Sequence, residues 1–169
     1  MKYKLQLLTL VSVILIASCS KKIIPFDYSS YDYEASVVEI GTQGTAVIKA
    51  TGVGKSIQEA KENAKRNAIH ALLFKGIPSS NGINSTDLRP MVSDPGAQET
   101  YKDYFSSFFA DNGKYMKFAT FTNAQGEPGM GDVVRVGKSY KVGMVVTVNR
   151  NLLRQELEND GIIKRFGIN

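Results

Sequence analysis

The sequence predicts an α+β fold: a mostly antiparallel sheet of about five strands with two to three helices packed on one face. Three observations point there. Two β-rich runs are joined by a short Gly-bounded turn, two later stretches carry apolar residues at helical spacing, and the C-terminal third is strand-rich and closes in a capped helix. The order β-β-α-loop-α-β-β-β-α groups strands with strands, the mark of an antiparallel sheet covered by helices.

The first pair is Ala35–Ile40 and Thr45–Thr51, and Gly41-Thr-Gln-Gly44 between them reads as a hairpin. "ATGVGKS" follows (residues 50–56). Gly54-Lys55-Ser56 matches the second half of a phosphate-binding G-x-x-x-x-G-K-[ST] loop, but the first glycine of that pattern falls on Lys49. No apolar run ends in a magnesium-holding Asp, because "MVVTVN" ends in Asn149. No nucleotide is expected. Ser56 and Glu59 instead form a capping box at a helix start, and Gly52 and Gly54 are expected to turn the chain tightly from strand to helix.

The helix spans Ser56 to Lys75 and ends at Gly76 as a C-terminal cap. Its stripe is Ile57, Ala60, Ala64, Ala68, Ala71 and Leu72, and the alanines imply close approach to the sheet. His70, the single histidine, falls on the opposite face beside Asn63 and Arg66, where a surface position is expected. Residues 76–98 hold three prolines and many Ser, Asn, Gly and Asp, so a long loop is expected, with Ile77, Ile83, Leu88, Met91 and Val92 scattered through it.

Tyr101, Tyr104, Phe105, Phe108 and Phe109 then recur at i, i+3, i+4, i+7 and i+8, the stripe of an amphipathic helix that Asn112-Gly113 ends. Such a stripe is ordinarily the core side of a helix. Its functional reading is an aromatic platform for a sugar or small ligand, with Tyr101, Tyr104 and Phe108 as the contacting rings. Strands follow at Tyr115–Thr122, Val133–Val136 and Ser139–Val148, the last two flanking Gly137-Lys138 as a tight hairpin. Asn149 caps a closing helix with Leu152, Leu153 and Leu157 inward. Gly161 terminates it, Ile162 makes the apolar contact beyond, and Ile163 and Phe166 pack the tail back.

The N-terminus carries the functional signal. Lys2 and Lys4 precede an uncharged apolar run, Leu5–Ile16, too short to span a bilayer. Ile16-Ala17-Ser18-Cys19 has the form of a bacterial lipobox, and Cys19 is the only cysteine of 169 residues. Residues 1–18 are read as a lipoprotein signal, Cys19 as the lipid attachment site, 19–33 as a tether reaching roughly 20 Å, and 34–169 as one domain. Removal of residues 1–18 takes two of the 21 basic residues and none of the 16 acidic ones, leaving a net charge of +3. That is far from a nucleic-acid footprint. One histidine and an acylated cysteine leave no metal site or thiol nucleophile to expect, and no cofactor is called for. A diacyl chain plus an amide-linked acyl group makes a stable membrane anchor. By resemblance to lipoprotein sorting rules, an Asp behind Cys19 would favour inner-membrane retention and an acidic cluster just downstream would favour surface export; neither is present, which favours the periplasmic face of an outer membrane.

"VIKATGVGKSIQEAKENAKRNAIHALL", the aromatic helix and "YKVGMVVTVNRNLLRQELENDGI" together resemble the lipoprotein domain of flagellar-assembly outer-membrane proteins, and "LFKGIP" is similar to envelope lipoproteins of Bacteroidetes. The resemblance implies an α+β envelope domain that binds a partner in an assembly, and it brings no catalytic residues. The function expected is that of a lipid-anchored, non-enzymatic accessory subunit docking onto another envelope protein. The alternatives are a glycan- or small-ligand-binding periplasmic module and an envelope hydrolase.

Overall fold

The computed structural model describes residues 32–80, 87–123 and 126–165. Cys19, the signal, most of the tether, Ile83 and Phe166 lie outside these residues.

Five antiparallel strands form one sheet, and helices pack against it, as the α+β pattern requires. Strand β1 (Ala35–Ile40) pairs with β2 (Thr45–Gly54), and β2 pairs along its whole length with β5 (Ser139–Asn149). The far edge of β5 is shared. Strand β3 (Ala119–Phe121) pairs with its C-terminal end and β4 (Val133–Val136) with its N-terminal end. Gly137 turns the β4–β5 hairpin with φ of 61°. Ala46, Ile48 and Ala50 of β2 lie opposite Val148, Val146 and Met144 of β5, and all six are buried. The alternate residues Lys49, Thr51, Lys141 and Thr147 lie on the other, partly exposed face.

Helix α1 (Ile57–His70) crosses the core face of β2 and β5. Ser56 caps it: its Oγ accepts from the Glu59 N–H at 3.2 Å, while the Glu59 carboxylate accepts from the Lys55 N–H at 2.8 Å. The glycines before the helix do something other than turn the chain. Gly52 and Gly54 lie inside β2, which runs three residues beyond the expected Thr51. A Cβ on Gly52 would stand 2.2 Å from the Ala64 backbone nitrogen, and one on Gly54 2.5 Å from that of Ala60. Alanines on the helix and glycines on the strand together let two backbones touch. Ile57, expected on this stripe, is 40% exposed because it precedes the contact.

The other face of α1 corrects a second expectation. His70, Asn63 and Arg66 are buried, with His70 3% exposed. The helix is covered on both sides, by the sheet and by the 87–118 segment. Its asparagines are satisfied from within: Asn67 and Asn63 donate to the Thr51 and Val53 carbonyls at 2.8 Å each. Those carbonyls belong to the part of β2 that extends past its last β1 partner, Ala50. The two asparagines therefore replace a missing strand. Arg66 donates to Asn63 Oδ1 at 2.9 Å and pairs with Asp111.

Residues 71–75 continue α1 as one wider π turn, closed by the bond from the Gly76 N–H to the Ala71 carbonyl (2.8 Å), with Gly76 at φ 77°. The following loop is less irregular than its composition suggests. Ile77 and Leu88 exchange backbone bonds of 2.8 and 2.9 Å, and Ile77, Leu88, Met91 and Val92 are buried. The Met91 and Val92 N–H groups donate to the Leu72 and Leu73 carbonyls, which the end of the helix leaves unpaired.

The aromatic helix is two pieces, α2 (Ala97–Thr100) and α3 (Lys102–Phe108), broken at Tyr101. Phe105, Phe108 and Phe109 enter the core with Tyr115 and Phe118. The strand expected over Tyr115–Thr122 shrinks to β3, because Lys114–Lys117 form a 3-10 turn that drives Tyr115 inward. Only Ala119–Phe121 then reach the free edge of β5. Helix α4 (Arg150–Asn159) starts where Asn149 Oδ1 accepts from the Leu152 N–H at 3.0 Å. Leu153 and Leu157 are fully buried, but Leu152, expected inward, is 49% exposed. Gly161 at φ 73° ends the helix, and Ile162 returns to the core, its N–H on the Leu157 carbonyl.

Candidate functional site

The C-terminal end of α1 is the place where buried polar groups, exposed cations and a cleft coincide. His70 occupies the last helical position, and the π turn after it carries Phe74 and Lys75. Across from them runs the 89–98 segment, pinned by the two Met91 and Val92 bonds. Its next turn is set by Asp94, whose Oδ1 accepts from the Gly96 N–H at 2.8 Å. Between the two lies a cleft of about 510 Å³, lined among others by His70, Phe74, Lys75, Arg89, Asp94 and Gln98.

His70 forms its floor. The Gln98 amide nitrogen stands 2.6 Å from Nε2, and an amide N–H only donates. Nε2 therefore accepts, Nδ1 holds the proton, and the Tyr33 hydroxyl oxygen accepts from it. Burial drives the pKa of His70 from 6.5 down to about 3, and the charge of Lys75 acts in the same direction. The imidazole is thus neutral at any physiological pH. Burial also raises the Tyr33 phenol above its ordinary range. Tyr33 belongs to the domain and not to the tether: its ring is buried, meets His70 edge-on at 5.7 Å, and lies 4.1 Å beneath the Lys75 ammonium.

None of the three rings expected to contact a ligand lines this cleft. Phe108 is 1% exposed and stacks on Phe118 at 6.1 Å, so it offers no surface to a ligand. Tyr104 is half-buried. Its hydroxyl donates to Asp160 Oδ2 at 2.8 Å, and Lys114 bridges Asp160 and Glu156 at 2.9 and 2.8 Å, tying α3 to α4. Tyr101 is half-buried at the break between α2 and α3. Tyr33, Lys75, Arg89 and Gln98 escaped sequence reasoning because their spacing follows no period. They meet only when the loop folds back on the helix end.

A second feature is the outer edge of β4. All four of its residues are exposed, with Val134 at 52% and Val136 at 54%, and among the described residues β4 pairs only with β5. No group of three or more His, Cys, Asp or Glu among the described residues could hold a metal, and no described helix is long and apolar enough to cross a membrane. Comparison with protein-family models, curated proteins and solved structures finds no match in any of the three.

Proposed function

We propose that this chain is a lipid-anchored, non-enzymatic protein of the cell envelope, held through Cys19 at the periplasmic face of an outer membrane, whose α+β domain docks as an accessory subunit onto another envelope protein. The observation that carries the docking is the β4 edge. An edge strand with unpaired N–H and C=O groups is ordinarily blunted by charge, proline or brevity. β4 is short and carries Arg135, and it nevertheless keeps Val133, Val134 and Val136 exposed. An extended segment of a partner adding to that edge would satisfy the backbone and cover the valines. The lipobox supports the anchor, and the resemblance to flagellar-assembly lipoprotein domains supports a role within an assembly.

The test places a photo-crosslinking residue at Val134 in native envelopes, with Lys102 on the helical side as control position. A stoichiometric partner captured from position 134 alone, and lost both in Cys19→Ala and in Val136→Lys, is the expected outcome. Equal products from both positions, or none from 134, would sink the edge-docking reading. Mass spectrometry of the same material reads the anchor, the expected N-terminal residue being an acylated Cys19.

A further inference from the structure

We propose that the cleft at the C-terminal end of α1 is a binding site for a small organic anion, its carboxylate or phosphate head held between Lys75 and Arg89 and its apolar body lying against Phe74 and the prolines at 90 and 95. The site does not depend on the docking edge of β4, which belongs to a different part of the fold.

Four observations lead to this ligand class. The first is size: about 510 Å³ lies within the range of small-ligand pockets. The second is charge. Lys75 and Arg89 are exposed, and neither enters an ion pair among the described residues. The one acidic residue of the lining, Asp94, spends an oxygen on the Gly96 N–H. The cleft thus presents two cations against one carboxylate, and an arginine fork suits the planar geometry of a carboxylate or phosphate.

The third is the apolar wall. Phe74 is fixed from behind by Phe105 (4.9 Å, edge-on) and by His70 (5.1 Å), so it is a rigid surface for a flat or aliphatic group. Neutral His70 beneath it adds no charge, and Gln98 offers amide groups beyond the one engaged with Nε2. The fourth is preorganisation. The π turn is a rare backbone form frequently found at functional sites. The loop opposite is stitched to it by the Met91–Leu72, Val92–Leu73 and Ile77–Leu88 backbone bonds. A ligand entering such a frame loses little affinity to ordering the protein.

The experiment is an NMR titration of the protein with phenyl phosphate and with benzoate, using benzyl alcohol as the uncharged control. Saturable shifts centred on the His70 ring, Phe74, Lys75 and Arg89 are expected for at least one anion, at least about tenfold tighter than for benzyl alcohol. Lys75→Gln and Arg89→Gln, both at exposed positions, each weaken that binding by about tenfold or more, while Lys102→Gln leaves it unchanged. Whichever anion binds tighter names the head group. Phosphatidylglycerol vesicles shifting the same signals make the head group membrane-borne, and shifts with soluble anions alone make the ligand a free one. The proposal is overturned if neither anion gives saturable shifts by about 10 mM, if benzyl alcohol binds equally well, or if both cleft variants bind like the parent.

Discussion

Replacing Gly52 by Ala adds one methyl group at the tightest point of the molecule. Its Cβ would stand 2.2 Å from the Ala64 nitrogen, 2.3 Å from the Ala60 carbonyl oxygen and 2.8 Å from the Asn63 carbonyl carbon. All three are backbone atoms of α1, so no side chain can rotate away. Restoring an ordinary 3.4 Å contact from 2.2 Å requires α1 to retreat by about 1.2 Å. A gap of that size forfeits a quarter to a half or more of the dispersion attraction along the Ala60, Ala64 and Ala68 stripe. The expected cost lies at the upper end of overpacking effects, about 3 kcal/mol, or roughly a 10 °C fall in Tm for a domain of this size. Urea and thermal unfolding followed by circular dichroism measure it. Gly131→Ala is the control: at φ 84° with nothing within 4 Å, it carries backbone strain alone, about 1 kcal/mol. The double variant Gly52→Ala/Ala64→Gly separates the causes. Because the clash is with backbone, removing the Ala64 methyl gives no rescue and adds about 1 kcal/mol for a mid-helix glycine. A Gly52→Ala protein within about 0.5 kcal/mol of the parent, or rescue by Ala64→Gly, would refute the contact as described.

The remaining predictions concern charge and facing. His70 is held neutral, with a folded pKa of about 3 below its unfolded 6.5, so its contribution is fully present above pH 6.5 and is lost as pH falls toward 3. Stability measured in steps across that window should drop by up to about 1.4 kcal/mol per pH unit, and His70→Gln should remove this slope. The Lys114 ammonium holds the Asp160 carboxyl below 3.8, so its stabilisation is present above that pH and is lost as pH falls through the lowered folded value. Asp160→Asn should therefore flatten only the most acidic limb, and a change confined to pH 5–6 would contradict the assignment. Asn67→Leu leaves the part-buried Thr51 carbonyl without its donor and should cost about 1 kcal/mol in urea unfolding. Leu153→Ala, at a fully buried position, should cost about 2–5 kcal/mol, whereas Leu152→Ala, half exposed, should stay within about 0.5 kcal/mol. Equal losses would mean α4 faces differently.

The sheet and its helices were legible because their signals are local. Val133–Val136 and Ser139–Asn149 flank a turn, Ser56 and Asn149 cap helices, and Gly76 and Gly161 end them, each within a few residues of its partner. Periodicity failed where an element has more than one neighbour. It reads a polar stripe as solvent-facing, yet His70, Asn63 and Arg66 lie under a second layer whose presence no spacing within α1 announces. The Tyr101–Phe109 stripe was read correctly as helical spacing, but whether its rings meet core or solvent depended on how the chain enters and leaves it.

By itself the sequence determined the strand and helix order and the capping residues, because each is written in contiguous residues. Tertiary structure alone decided that Gly52 and Gly54 serve helix contact and not a turn, since the atom that excludes a side chain comes from another element. It likewise decided the cleft. Tyr33, His70, Arg89 and Gln98 are separated by up to 65 positions and acquire a common chemistry only when the loop closes on the helix end. Packing distances of a few ångströms set what such groups can do, and distances between remote residues are fixed by the fold.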